Sequence, residues 1–163
     1  MCIRDRRYVY GSAEVVGLMC LRAFVLERHY PASTLAELEH GARALGAAFQ
    51  KVNFLRDLAA DFESLGRSYF PGVDVTTFDE TTKARLVADI DDDLRAAGDI
   101  IPVLPASSRR AVALAHGLFA ELNRRLEATP ASSLVRARVR VPDAARRSFT
   151  ASSLVRASPR AGG

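Results

Sequence analysis

Tryptophan is missing from this chain, and only two lysines (Lys51 and Lys83) and two cysteines (Cys2 and Cys20) occur in its 163 residues. The cysteines have neither metal-ligand nor redox spacing, so a disulfide-stapled secreted scaffold is excluded and a reduced cytoplasmic compartment is the default. No run of about 18 apolar residues and no secretory leader are present, so no membrane-spanning helix is expected. Aromatic residues make up 7% of the chain, too few and too scattered to interleave with the basic ones as a nucleic-acid surface requires. What the chain has in quantity is hydrophobic residues (48%), enough for one helical domain with a real core. The formal charge of +4 is uneven: residues 129–163 carry +6 and residues 1–128 carry −2.

The periodicity is helical throughout, and no segment reads as a strand, so the fold class is all-α. Residues 8–28 form a well-buried helix that ends near His29–Pro31. Ser33 or Thr34 caps a second helix, with Thr34 and Glu37 as a capping box, and that helix runs to Leu65 with Gly66 as its stop. Its Ala44, Gly46, Ala47 and Ala48 admit a closely packed neighbour. An irregular linker, 67–76, leads to a third helix capped by Thr77 and running to about Ala97. Pro102 and Pro105 then break the pattern before a fourth helix, opened by Ser107 or Ser108 and ending near Leu126. A short helix is expected around Ala144–Val155. The segment ASSLVRA occurs twice, at Ala131–Ala137 and Ala151–Ala157, which is too few copies for a repeat architecture.

The stretch Gln50–Pro71 carries the chemistry. Gln50, Asn53, Asp57 and Asp61 stand at offsets 0, 3, 7 and 11, one stripe of a helix. Two carboxylates a turn apart repel, more so when desolvated, so the stripe asks for a cation. Oxygen-only donors suit a hard divalent ion such as Mg²⁺. Spacing alone is weak evidence, because Asp89 and Asp93 repeat it without amide partners; they read as an exposed acidic face. His29, His40 and His116 have no ligand spacing and read as structural or surface residues.

The composite Q-x-x-N-x-x-R-D-x-x-x-D followed by G-R-x-Y-x-P resembles the second aspartate-rich motif of the squalene/phytoene synthase family. Tyr8–Met19 (YVYGSAEVVGLM) resembles that family's Tyr-and-Gly helix, and the likeness extends to about Pro142. GSAEVVGLM and RVRVPDA look closest to bacterial phytoene synthases, with squalene and dehydrosqualene synthases as alternatives. The resemblance implies the C-terminal part of the head-to-head isoprenoid synthase helical fold. It also implies condensation of two geranylgeranyl diphosphates to phytoene, with Mg²⁺ bridging the substrate diphosphate to the protein. Residue by residue, Asp57 and Asp61 match the metal-binding carboxylates. Gln50, Asn53, Arg56 and Arg67 match substrate-binding positions, and Tyr8 matches a catalytic tyrosine. Phe49, Phe54, Leu55, Leu58, Phe24 and Met19 are candidates for the apolar wall that an allylic cation needs. The rival from another class is a helical interaction module without catalysis.

The family's first aspartate-rich motif has no counterpart in the sequence. The opening MCIRDR resembles a translated sequencing-library adapter. The expected organisation is therefore a non-native leader at 1–7, a partial prenyl synthase domain at 8–128 and a basic tail at 129–163. The 163 residues alone are expected to be inactive. The tail reads as a solvated end, with contact to an anionic membrane surface as a second reading.

Overall fold

The computed structural model describes residues 13–59 and 77–136. Five α-helices fill them: α1 (Val15–Val25), α2 (Ala32–Arg56), α3 (Glu80–Ile100), α4 (Ala106–Ala128) and the single-turn α5 (Ala131–Leu134). A 3₁₀ turn, Ile101–Val103, links α3 to α4, and no strand occurs among the described residues. The all-α expectation holds. Tyr8, Asp61, Arg67, Gly66, the expected Ala144–Val155 helix and most of the basic tail lie outside the described residues.

Neighbouring helices run antiparallel. Gly17 of α1 lies against Ala42 of α2, and Ala13 lies against Gly46, so the two chains pass in opposite directions. Gly41 of α2 meets Ile100 near the end of α3, whereas Lys51 meets Asp89 and Asp93 nearer its middle. Across α3 and α4, Leu94 meets His116 and Val87 meets Asn123. The main core joins α2, α3 and α4 through Ala48, Val52, Leu55, Ile90 and Leu126, all fully buried. A second core, with Leu21, Val25, Leu38, Ile100 and Leu104, fastens α1 to the distal half of this layer. The apolar stripes of α2, α3 and α4 thus face other helices, which is how an amphipathic helix gains most of its stability. α1 is not the well-buried helix expected: it buries only Leu21 and Val25 and leaves Val16 and Met19 exposed.

The small residues of α2 have the role their pattern suggested. A Cβ at Gly46 would strike the Ala13 carbonyl, and one at Gly17 would strike the Ala42 carbonyl. The helix starts differ from expectation. Pro31 precedes α2 and no side chain caps it, so the Thr34–Glu37 capping box does not form. Proline's fixed φ and missing N–H suit a helix start, and three helices (α2, α4 and α5) begin just after one. Ser108 instead turns its hydroxyl back to the Pro105 carbonyl. The cap of α3 is Asp79, not Thr77: its carboxylate accepts from the Thr82 N–H at 2.8 Å. The regular turns of α2 end at Arg56 with Asp57 as the C-cap, and Leu58 and Ala59 are helical again; the rest of the stretch expected to run to Leu65 lies outside the described residues.

The far ends of α3 and α4 are tied by Lys83. This buried ammonium donates to the Glu127 and Thr129 carbonyls at 2.9 and 2.8 Å and pairs with Glu80. Glu80 in turn accepts from the Ala131 N–H. The orphan carbonyls at the C-terminus of α4 thereby find a cation, which also complements the helix dipole.

The Asp79 cap yields a pH test. The hydrogen bonds from Thr82 hold its carboxyl below the ordinary range, so its stabilisation is present above about pH 4 and fades as pH falls through the folded-state value. Asp79→Ala is expected to lower the thermal midpoint at pH 7. That deficit should shrink on acidification below about pH 4, when the wild-type cap itself becomes protonated. Melting curves of both proteins between pH 7 and 3 check this; a deficit independent of pH would refute it.

Candidate functional site

Between α1, α2 and α4 lies an apolar cavity of about 440 Å³. Val16, Gly17, Leu21 and Phe24 of α1 form one wall, Leu45 and Phe49 of α2 a second, and Val112 and Ala115 of α4 a third. Ile100 and Leu104 close one end. Among the described residues, Gln50 is the one lining residue with a side-chain amide. Its size and apolar walls fit a small lipid-like ligand.

The cavity depends on close helix approach and on one aromatic stack. Phe49 lies on Phe119 of α4 with ring centroids 3.8 Å apart and planes 18° from parallel. That contact fixes the wall beside Gln50. Of the candidate wall residues, Phe24 and Phe49 do line the cavity. Phe54, Leu55 and Leu58 are buried elsewhere, Phe54 and Leu55 in the core against α3. Met19 points outward and is 66% exposed, because it lies on the far side of α1 from α2.

Asn53 and Asp57 continue from Gln50 along α2, both half-buried. Three residues of α-helix advance about 4.5 Å and seven about 10.5 Å, with a rotation near −20° over the seven. The three are therefore on one side of the helix, as their spacing requires. Asp57 ends the run in a C-cap conformation (φ −98°, ψ 8°), its N–H bonded to the Asn53 carbonyl. The neighbouring Arg56 grips the Asp57 carboxylate with both arms, Nε to Oδ1 at 3.0 Å and Nη2 to Oδ2 at 2.7 Å. Anion-binding and cation-binding groups thus stand paired at the helix end.

The donors in this stretch are oxygen atoms, the chemistry a hard divalent ion accepts. Among the described residues, no three His, Cys, Asp or Glu side chains lie close enough to hold a metal by themselves. A magnesium-type ion commonly takes only one or two carboxylates and completes its shell with water and substrate phosphate. The side-chain oxygens of Asn53 and Asp57 are donors of the kind such an ion takes.

Over residues 6–145 the chain matches the family model for squalene/phytoene synthase. The chain belongs to the squalene/phytoene synthase family. Enzymes of this family are prenyl-transferring, join prenyl diphosphates head to head and depend on a divalent metal. The all-α architecture agrees with the family's isoprenoid synthase fold. No curated protein matches the chain. Among the described residues, no helix is long and apolar enough to cross a membrane.

One sequence reading is corrected. Asp89 and Asp93 are not simply an exposed acidic face, because the Lys51 ammonium sits between them at 2.6 and 2.7 Å. Lys51 itself is buried, 9% exposed. Burial works against its charge, but the two carboxylates outweigh it and hold the lysine above its ordinary pKa. Burial pushes the Asp93 carboxyl up despite the attraction of Lys51. The two shifts are compatible: two acids share one cation, so the cation is held firmly and the more buried acid resists ionising. Glu14, at the wide π-type turn that opens α1, feels the same cluster; its carboxyl is raised by burial, against the pull of Arg43.

Of the histidines, His29 and His40 are exposed, while His116 bonds the Leu94 carbonyl through Nε2 at 2.8 Å and serves the α3–α4 contact. Sequence reasoning missed Leu21, Leu104 and Val112 as cavity residues. Each has an ordinary core pattern, and only the packing of α1 and α4 separates lining from core.

Proposed function

We propose that this chain serves the condensation of two geranylgeranyl diphosphates to phytoene, a step of carotenoid biosynthesis. The observation that carries the reading is the continuity between cavity and polar stripe. An apolar chamber of about 440 Å³ ends at Gln50, and the side of α2 beyond it carries Asn53, Asp57 and Arg56. A prenyl chain suits the chamber, and its diphosphate suits the helix end. The apolar walls exclude water, as an allylic cation requires. Squalene-type condensation uses the same parts, so the product is decided by experiment.

In this reading Gln50 and Asn53 orient the head group by hydrogen bonds. Arg56 and Arg67 bind diphosphate oxygens through their planar forks. Asp57 and Asp61 would hold a Mg²⁺ ion, and the Arg56 guanidinium, paired with Asp57 in the structure, is placed to reach the diphosphate. Bound Mg²⁺ would neutralise charge on the leaving diphosphate. Tyr8 handles the proton and assists ionisation. The basic tail approaches an anionic membrane surface, from which a lipid substrate comes.

The test compares two proteins on geranylgeranyl diphosphate with Mg²⁺. Residues 1–163 alone are expected to give no phytoene, since they hold one aspartate-rich helix of the two the reading needs. The same residues joined to an upstream segment carrying the second are expected to give it. Squalene-type product from farnesyl diphosphate alone would assign the alternative, and no turnover of either substrate by the longer protein would favour a non-catalytic helical module.

A further inference from the structure

Lys51 stands next to Gln50 and two residues before Asn53, yet it takes no part in the stripe. It points about 100° away from Gln50 around the helix axis, inside the arc that packs on α3. That arc also carries the apolar Ala47, Ala48, Val52, Phe54 and Leu55. Such side chains bury area, but hydrophobic contact is non-directional and does not by itself fix one exact rotation of the helix. The Lys51 cluster is directional. Asp89 and Asp93 stand one turn apart on α3 and close on a single ammonium at 2.6 and 2.7 Å. Asp93 is half-buried and the Lys51 side chain is 11% exposed, so rotating α2 would strand a desolvated charge. Glu14 at the N-cap of α1, Arg43 of α2 and Asp92 of α3 add further charge at this junction of three helices.

We propose that the Lys51–Asp89–Asp93 cluster is a positioning device that sets the rotation of α2, and with it the side on which Gln50, Asn53 and Asp57 stand. Its importance for diphosphate binding rests on the reading above; the rotational role does not. A buried ion cluster contributes uncertainly to stability, since replacing it with apolar groups of similar size is often neutral or favourable. Positioning and mere support therefore predict different outcomes.

The experiment uses the 163-residue chain, with Lys51→Met, Lys51→Arg and the double variant Lys51→Met with Asp93→Leu. The double variant leaves no buried acid without its cation, so it stays folded if Lys51→Met alone does not. Two readouts are taken: the side-chain amide resonances of Gln50 and Asn53 by NMR, and binding of Mg²⁺ with inorganic pyrophosphate by calorimetry. The double variant is expected to keep the wild-type melting midpoint but to shift both amide resonances, with Lys51→Arg restoring them. Pyrophosphate affinity should fall about 10-fold or more in the double variant, the usual range for a residue that acts through a ligand. Unmoved amide resonances in a folded variant would overturn the positioning role. Wild-type chain that binds no Mg²⁺-pyrophosphate would count against the diphosphate reading alone, and the resonances would still decide the role of Lys51.

Discussion

Gly46→Ala is expected to destabilise the protein by about 2 kcal/mol, although alanine is the better helix former by about 1 kcal/mol. Helix propensity and packing here have opposite signs, and packing wins. An added Cβ at position 46 would collide with the Ala13 carbonyl oxygen and lie 2.8 Å from its carbon. Both are backbone atoms, so relief demands that α1 move. Gly98→Ala is the control. Its Cβ would come no nearer than 3.4 Å to His116, an ordinary contact, so propensity should prevail and stability rise by about 0.5–1 kcal/mol. Denaturant unfolding of the two variants should thus give changes of opposite sign. Equal stabilisation by both would mean that α1 does not rest on α2 as described. The double variant Gly17→Ala, Gly46→Ala should also open the cavity, since α1 supplies one of its walls.

Asp57→Asn carries the largest expected effect on activity. In a protein bearing both aspartate-rich helices, the substitution should reduce turnover at least about 100-fold, the upper range for disturbing a metal's surroundings. Folding should change little, because the ion pair with Arg56 that the variant weakens is partly exposed and worth about 1 kcal/mol or less. Steady-state rates and melting curves, measured together, check the two halves. A wild-type rate would remove Asp57 from the site, whereas a collapsed melting midpoint would show a structural role. Asp89→Asn is a useful contrast, since the same D-x-x-x-D spacing there holds a lysine.

That contrast shows where the sequence could be read and where it could not. Asp57 and Asp89 have identical local spacing, and flanking residues separated them: aligned amides and Arg67–Pro71 in one case, none in the other. The partner of Asp89 and Asp93 was invisible because Lys51 lies some forty positions earlier and meets them only when α2 and α3 run antiparallel. Glycine and alanine positions on α2 were legible, since small residues at helical spacing mean close approach whatever the partner. Helix caps were misread at Thr34 and Thr77. Several residues with capping chemistry cluster at each start, and proline or Asp79 took the position. Phe24 and Phe49 were legible as wall residues and Met19 was not, because a helical pattern names a face without saying what faces it.

Both lysines in the chain, Lys51 and Lys83, are buried and bound to oxygen. Arginine carries the positive charge elsewhere. An amine-reactive reagent therefore meets no accessible lysine on the folded body, while every opening of the helix layer uncovers one. Lys51 reports separation of α2 from α3, and Lys83 reports release of the C-terminus of α4. Labelling rates at these two sites, resolved by peptide mass, would read two local opening equilibria in the unmodified protein.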